Sequence, residues 1–263
     1  MAIPTDTSNP GAPAVWDNRS LDAVHAQHDK AIRVRRMFDN IAPTYERINA
    51  IFSFGRDRAW RRELVRAAEV TPGERVLDIA CGTGDVVRAF ERFSRAGRVV
   101  GADFAARMLD RARNRSGPVV SWCRADALQL PFADAVFDVV SCAFGVRNFQ
   151  DLHRGLCEIH RVLKPGGRLV ILEFARPRNG LVRRVHEYYC NAIMPRAANW
   201  ISRDRTGAYR YLPRSVVSFL DGAGMSVALT KAGFTNARPR PMTLGVVYIH
   251  RAEKTAPKGG ELR

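Results

Sequence analysis

The stretch from Arg75 to Asp85, RVLDIACGTGD, constrains the fold of this chain more than any other. Its first half has the β-branched and apolar composition of a strand that is buried on both faces. The CGTGD segment ends that strand, and apolar residues at 86, 87 and 90 have the spacing of a helix. A strand, a tight glycine turn and a helix N-terminus bring backbone close to a ligand. The stretch therefore predicts a ligand-binding strand–turn–helix unit.

Acidic residues stand at the predicted ends of three strands. Asp78 lies at the end of the first strand, where a carboxylate argues against a phosphate ligand and for one with positive charge or hydroxyls. The second strand, 98–102, is followed by Asp103, where a doubly wound fold places a carboxylate on ribose hydroxyls. Asp126 is predicted at the end of a third strand, from which it could reach an adenine amino group.

The order of the remaining strands narrows the fold class. Residues 136–141 read as a fourth strand, and residues 163–171 read as a helix end, a turn and a fifth strand. A Gly-x-Gly turn alone is equally typical of an ordinary strand-to-helix connection. The whole set, in this order and spacing, resembles the class I methyltransferases that use S-adenosylmethionine. This resemblance implies an α/β, Rossmann-like fold: a mostly parallel seven-stranded sheet with helices on both faces.

Composition shifts along the chain predict its domain organisation. Residues 1–24 are rich in Pro, Asn, Asp and Ser without the apolar run of a signal peptide, and they predict a disordered tail. A methyltransferase domain is predicted over 25–252, beginning with a helical cap at about 25–70. An aromatic and basic insertion at about 181–224 is predicted to form a lid over the second substrate. Residues 253–263 predict a loose C-terminal tail.

The overall composition excludes several classes of protein. With 263 residues and 46% hydrophobic residues, the chain can form a sizeable core, and it has no run of 18 apolar residues. The five cysteines are scattered without Cys-x-x-Cys spacing, so disulfides and structural zinc are not expected and a reducing cytoplasm fits. The six histidines include no His-Glu-x-x-His, and no metal site is predicted.

The chain is strongly basic, with a net charge of +16, and all but five of its 42 basic residues are arginine. This balance indicates an anionic partner, such as nucleic acid, an anionic membrane surface or an acidic substrate, or else a bias spread over solvated faces. Residues 56–65 predict a basic amphipathic helix with apolar residues at 59, 60, 64 and 65 on one side. Such a helix is suited either to packing on the domain or to anionic headgroups.

Motifs on both sides of the glycine turn resemble the ubiquinone/menaquinone biosynthesis C-methyltransferase family over about residues 38–250. They are YERIN (45–49), SFG (53–55), WR (60–61), FGVRN (144–148), LKPGGR (163–168) and YRYL (209–212). The resemblance implies methyl transfer from S-adenosylmethionine to a ring carbon of a reduced, prenylated quinone. It favours demethylmenaquinol, without excluding the ubiquinone precursor.

The resemblance also implies cofactor contacts at four positions, which are Thr83, Asp103, Asp126 and Ala127. From the residues themselves, Gly82 and Gly84 allow close backbone approach, and Asp78 lies beside the ammonium end of the ligand. Thr83 could instead cap the following helix. Ala143 stands where the family often has Ser, so that cofactor contact is absent or comes from Ser141.

The chemistry requires phenolate character in the quinol and in-line placement of the methyl group. Arg147 follows the fourth strand and could stabilise a phenolate or orient a water, although a loop ion pair with Asp151 is the plainer alternative. Tyr45, Glu46 and Tyr211 are further catalytic candidates, but buried tyrosines are more often core residues. A His that is frequent in the family's lid corresponds to Asn191, which removes one candidate base.

Three other functions compete with this interpretation. A nucleic-acid methyltransferase is disfavoured because neither an Asn/Asp-Pro-Pro-aromatic turn nor a Pro-Cys pair occurs, and no nucleic-acid partner is expected. A methyltransferase of another phenol, sterol or lipid, or a non-catalytic cofactor-binding protein, stays open. The prenyl tail further predicts a cytoplasmic protein that docks on the inner face of an anionic membrane through residues 56–66 and the arginine-rich lid.

Overall fold

The computed structural model describes residues 15–115, 117, 120–194, 196 and 207–256. The strands of this part of the chain are β1 (Arg75–Ile79), β2 (Arg98–Asp103), β3 (Val120–Arg124), β4 (Phe137–Ala143), β5 (Leu163–Phe174), β6 (Phe234–Met242) and β7 (Val247–Lys254). The helices are α1 (Asn18–Asp22), α2 (Lys30–Ile41), α3 (Tyr45–Phe52), α4 (Arg56–Ala68), α5 (Asp85–Phe93), α6 (Ala106–Arg113), α7 (Leu152–Val162), α8 (Gly180–Tyr188), α9 (Ala208–Val217) and α10 (Gly222–Lys231). Short 3-10 turns span Val146–Asn148 and Thr243–Gly245, and a π-helical turn spans Tyr189–Ile193.

The seven strands form one sheet in the order β3-β2-β1-β4-β5-β7-β6. The pairs from β3 to β5 are parallel, whereas β7 is antiparallel to both of its neighbours. The predicted α/β, mostly parallel seven-stranded sheet is therefore confirmed. Because the order reverses between β1 and β4, a crevice lies at the carboxyl ends of these two strands.

Helices cover both faces of the sheet because neighbouring strand residues point to opposite sides. Val76 of β1 packs into a cluster with Leu64 of α4, and the next residue, Leu77, packs into a second cluster with Leu156 of α7. The predicted helix at 56–65 is present as α4, and it packs on the domain. No helix in the described ranges has the length and apolar character needed to cross a membrane.

The N-terminal residues form part of a third apolar cluster. Trp16 is 0% exposed, and its ring stacks on Tyr211 with 4.4 Å between the centroids. The disordered tail predicted over 1–24 is therefore wrong for residues 15–24, where α1 and one buried aromatic side chain anchor an otherwise polar segment. Residues 1–14 lie outside the described residues.

Helices α2, α3 and α4 occupy the region of the predicted cap, and Pro43 separates the first two. The predicted lid at 181–224 contains α8, the π-helical turn and α9, while residues 195 and 197–206 lie outside the described ranges. Strand β7 continues to Lys254, beyond the predicted domain end at 252, because it pairs with β6 up to that residue. Residues 257–263 are likewise outside the described part.

Candidate active site

Two loops meet at the crevice between β1 and β4. Ala80 and Phe144, each directly after its strand, have φ values of 53° and 56°, which bulky L-residues seldom adopt. A Cβ at Gly145 would lie 2.6 Å from the Cβ of Ala80, so the two loops touch and only glycine fits there. Strained backbone of this kind concentrates at functional sites, which makes this contact a candidate ligand site.

The glycine turn after β1 fixes the Asp103 carboxylate. The Gly82 amide donates to Oδ2 of Asp103 at 2.7 Å, and the Ala105 amide donates to Oδ1 at 2.8 Å. Gly84 has a φ of 83°, and a Cβ there would lie 2.6 Å from the Trp122 ring. Burial raises the pKa of Asp103 to about 6, and the two amide hydrogen bonds oppose this rise. The turn therefore holds a half-buried carboxylate at the cleft.

Asp78 lies behind the turn with one oxygen unsatisfied. The Ser141 hydroxyl donates to its Oδ1 at 2.6 Å, whereas Oδ2 has no hydrogen-bond partner in the described chain. Burial raises the pKa of Asp78 to about 7, and the nearby Asp103 charge adds to the rise. A buried carboxylate with a free oxygen fits a ligand with a positively charged end. Because the Ser141 hydroxyl donates to Asp78, it does not replace the serine that the family often has at position 143, where this chain has Ala.

A cleft of about 100 Å³, with the Asp103 and Asp126 side chains in its wall, runs over the ends of β1, β2 and β4. Five of the eight predicted cofactor residues line it, and they are Gly82, Asp103, Asp126, Ala127 and Ala143. Asp126 is fixed by the Leu128 amide, which donates to its Oδ1 at 2.9 Å. The other three predicted residues, Asp78, Thr83 and Gly84, do not line the cleft.

Thr83 is buried beside the Glu46 carboxylate, so it does not cap α5. Glu46 itself forms ion pairs with Arg115 and, at 3.8 Å, with Arg88. These contacts hold Glu46 at the glycine turn, where it does not line the apolar cavity described below. Tyr45 lines that cavity and Glu46 does not, and the catalytic role of Glu46 stays a prediction.

Helix α2 covers the cleft from above, through Val34 and Phe38. The Lys30 ammonium donates to the Phe149 carbonyl at 2.7 Å, and the Ala31 amide donates to Oε1 of Gln150 at 2.9 Å. These bonds join the cap to the loop after β4. The sequence pattern predicted the helices of the cap without indicating that one of them would contact the cleft.

A second cavity, of about 270 Å³, adjoins the cleft and has mainly apolar walls. Its apolar lining includes Met37, Ile41, Ile48, Phe52, Trp60, Phe174, Met194 and Val216. Phe38, Tyr45 and Phe144 line both the cleft and this cavity. The two spaces are therefore neighbours that share one aromatic boundary.

Arg147 is one of several charged residues in the cavity wall, which also contains Asp57 and Arg61. Its Nη1 donates to Oε1 of Glu173 at 2.5 Å and to the Phe144 carbonyl at 2.8 Å, and its Nε donates to the Ser215 hydroxyl at 3.3 Å. Nη2 donates no hydrogen bond within the described ranges. The ion pair with Asp151 is not formed, because Asp151 caps α7 through the Arg154 amide.

Both predicted tyrosines line the same cavity. Burial raises the pKa of Tyr45 and of Tyr211, so both phenols stay protonated at neutral pH. The Tyr211 hydroxyl donates to Oδ1 of Asn148 at 2.8 Å. Arg147, Tyr45 and Tyr211 are thus brought to one cavity.

The structure adds polar residues that the sequence reasoning missed. Glu173 is the partner of Arg147, and it lies in β5 although the predicted fifth strand ended at residue 171. Arg61 is buried between Asp57 at 2.5 Å and Asp85 at 3.0 Å. The spacing of Asp57 and Arg61 at i, i+4 was the available signal, but the amphipathic pattern assigned arginines of this helix to the outer side.

Solved structures with the same architecture define the class. A SAM-dependent methyltransferase of Thermotoga maritima superposes with a TM-score of 0.60 at 20% identity, covering 84% of this chain and 99% of that one. The phosphoethanolamine N-methyltransferase 2 of Haemonchus contortus, in complex with S-adenosyl-L-methionine, gives a TM-score of 0.54 at 18% identity, covering 72% and 50%. The fold is that of the class I methyltransferases.

The chain belongs to the ubiE/COQ5 methyltransferase family, whose model matches residues 26–254. The demethylmenaquinone methyltransferase of Deinococcus radiodurans is 42% identical over 231 residues, which cover 87% of this chain and 95% of the relative. That of Thermus thermophilus is 43% identical over 221 residues, covering 83% and 100%. The resemblance found in the sequence is confirmed, and the protein is an S-adenosylmethionine-dependent methyltransferase.

Proposed function

We propose that this protein transfers a methyl group from S-adenosylmethionine to a ring carbon of a reduced, prenylated quinone, with demethylmenaquinol as the preferred acceptor. The observation that carries the proposal is the aromatic boundary of Phe38, Tyr45 and Phe144, where the cleft that contains Asp103 and Asp126 meets the apolar cavity. A polar cofactor and an apolar acceptor placed on the two sides would meet there. Relatives named demethylmenaquinone methyltransferase support the choice of acceptor.

The cleft residues suit the parts of the cofactor. Asp103 offers carboxylate oxygens to the two ribose hydroxyls, and Asp126 with Ala127 flanks the adenine. Gly82 and Ala143 leave room beside the backbone, and Gly84 keeps the turn tight. Asp78 compensates the positive charge of the amino-acid end, since its Oδ2 has no partner in the described chain. Thr83 is buried in the turn and does not line the cleft.

The bound cofactor supplies an activated sulfonium methyl, so the chain needs to orient and polarise the quinol. Arg147 is proposed to stabilise the phenolate through Nη2, because its other nitrogens are occupied by Glu173, Phe144 and Ser215. Tyr45 can donate a hydrogen bond to a quinol oxygen at the boundary. Tyr211 positions Asn148 and is not itself required to touch the quinol.

The deciding experiment is a transfer assay with labelled S-adenosylmethionine and reduced, short-tailed demethylmenaquinone, with the ubiquinone precursor as the alternative acceptor. Label on one ring carbon of the first acceptor is the expected result. Label on the ubiquinone precursor alone would identify that quinol as the acceptor and would leave the proposed methyl transfer to a ring carbon unchanged. If neither quinol is labelled while the cofactor binds, the acceptor is another phenol or lipid and the proposal fails.

Peripheral contact with an anionic membrane is part of the proposal, because a prenylated acceptor resides in a bilayer. Arg58, Arg62 and Arg66 are exposed on the outer side of α4. The protein would then act at the inner face of the cytoplasmic membrane. Co-sedimentation with vesicles should increase when anionic lipid is included, and indifference to anionic lipid would remove this part of the proposal.

A further inference from the structure

The three most exposed large apolar side chains of the described chain are Leu244, Phe54 and Leu181, at 78%, 76% and 73% exposure. They lie on three separate segments: the 3-10 turn before β7, the turn between α3 and α4, and the start of α8. We call these three residues the apolar collar. Val185 and Tyr188, also exposed, extend the apolar surface of α8 from Leu181 at helical spacing.

The three segments border the mouth of the apolar cavity. Phe54 lines the cavity and its ring lies 5.7 Å from that of Tyr189, which directly follows α8. Thr243, next to Leu244, also lines the cavity and accepts a 2.8 Å hydrogen bond from Nε1 of Trp60. The α8 residue His186 completes this part of the lining. The collar therefore stands around the space proposed for the quinol.

Two members of the collar are held in unfavourable backbone conformations. Phe54 and Leu244 have φ values of 52° and 57°, although a glycine follows each of them directly. The left-handed conformation costs a bulky residue about 1–2 kcal/mol, and Asn would adopt it more readily. Because most of each side chain is exposed, packing offsets little of that cost. Strain retained at two exposed loop tips indicates a role outside the fold itself.

Positive charge flanks the collar. Arg56 and Arg58 lie in the first turn of α4, just after Phe54 and Gly55, and Arg184 lies on the exposed side of α8. Within the described ranges, no carboxylate forms an ion pair with any of these three guanidinium groups. Apolar side chains flanked by unpaired arginines complement the interface of an anionic bilayer, where acyl chains lie just beneath phosphate groups.

We propose that the apolar collar inserts into the interfacial region of an anionic bilayer and seats the cavity mouth on the membrane. The prenyl tail of the acceptor would then pass from the acyl layer into the cavity between Phe54 and α8. This inference rests on the proposed function for its substrate. It differs from docking by the arginines of α4 alone, because it makes apolar insertion the main contact.

The test uses vesicles of phosphatidylcholine with and without phosphatidylglycerol, and the double variant Leu181→Ser/Leu244→Asn. Neither residue lines the cavity, and Asn suits the backbone at 244. The matched control is Ile32→Ser/Val227→Ser, which removes exposed apolar side chains of α2 and α10. We expect the collar variant to bind phosphatidylglycerol vesicles roughly tenfold more weakly than wild type, with the control unchanged and the thermal stability of both preserved.

Activity measurements separate this inference from the proposed function. The collar variant should methylate a soluble short-tailed quinol at the wild-type rate and lose activity on long-tailed quinol in vesicles. Wild-type binding by the collar variant, or no vesicle binding by the wild type, would overturn the inference. Vesicle binding that depends on the collar, without methyl transfer to any quinol, would instead overturn the proposed function.

Discussion

Replacement of Asp78 by Asn changes a buried charge while preserving the shape of the side chain. The amide oxygen of Asn can still accept the Ser141 hydrogen bond, which is the contact that Asp78 Oδ1 makes. The amide nitrogen would occupy the place of Oδ2, which has no partner in the described chain. An unsatisfied amide group costs about 1–3 kcal/mol at every pH. The pH-dependent part of the stability difference therefore reports the charge alone.

The expected magnitude follows from the pKa. The unfolded chain releases the Asp78 proton near 3.8, but the native protein releases it near 7. The native state therefore binds more protons between these values, and its stability falls as the pH rises through them before levelling off. The complete difference corresponds to about 4 kcal/mol, of which about 2–3 kcal/mol falls between about pH 5 and about pH 8. Asp78→Asn should abolish this decline.

Denaturant unfolding of the cofactor-free wild type and variant measures their free energies of unfolding at about pH 5 and about pH 8. From the lower to the higher pH, the free energy of unfolding of the variant should rise by about 2–3 kcal/mol relative to that of the wild type. This change corresponds to about 5–10 °C in melting temperature. Asp110→Asn, on the exposed side of α6, is the matched control and should leave the pH dependence unchanged. Parallel stability curves for Asp78→Asn and wild type would refute the reasoning.

Cofactor binding should respond in the opposite direction. Loss of a hydrogen bond to a charged group costs about 1.5–3 kcal/mol, so Asp78→Asn should bind S-adenosylmethionine at least about tenfold more weakly. Calorimetric titration at about pH 8 measures this change. Ser141→Ala removes a hydrogen bond that lowers the pKa of Asp78, so its cofactor affinity should recover only at higher pH than in the wild type. An unchanged affinity in Asp78→Asn would show that this carboxylate does not interact with the cofactor.

Two further predictions concern the cavity and the N-terminal segment. Arg147→Met should lower kcat. It should also destabilise the protein by about 3–5 kcal/mol, because it leaves the buried Glu173 carboxylate unpaired. The double variant Arg147→Met/Glu173→Leu should restore the free energy of unfolding but not kcat. Recovery of kcat in the double variant would contradict a direct role for the guanidinium. Trp16→Ala should cost about 3–5 kcal/mol in urea unfolding because it removes the stack on Tyr211, and a loss below about 1 kcal/mol would contradict the anchoring of this segment.

The sheet and the cleft were largely predictable because their signals are local. Asp103 and Asp126 follow predicted strands, and parallel strands bring their carboxyl ends to one edge, so sequence position fixed their place in space. Gly82 was predictable for the same reason, whereas Gly84 lies in the same turn without lining the cleft. Asp78 was predicted as a cofactor residue, but its place behind the cleft depends on the register with Ser141.

The cavity was less predictable because its contacts join distant parts of the chain. Trp16 packs on Tyr211, and no local pattern at residues 15–24 reveals a partner so far along the sequence. Arg61 lies on the inner side of α4 because Asp57 and Asp85 neutralise it, which a hydrophobic periodicity cannot represent. Tyr45 and Glu46 are adjacent in sequence, yet Tyr45 lines the cleft and the cavity and Glu46 lines neither, because successive residues of a helix point in different directions.

The apolar character of the cavity is consistent with the proposed chemistry. Attack of a phenolate on a sulfonium converts two opposite charges into neutral products, so a low-polarity environment with little water favours this transition state over the separated ions. Burial of an unpaired arginine in such a wall would cost free energy, and the ion pair with Glu173 reduces that cost. Nη2 of Arg147 is left without a partner in the described chain. The pair thus supplies a hydrogen-bond donor for the phenolate without a full counter-charge. On this reasoning, Glu173→Gln should retain the donor but increase the net positive charge beside the sulfonium, and cofactor affinity should fall. The fall should be larger when Glu173→Gln is made in the wild type than when it is made in Arg147→Met.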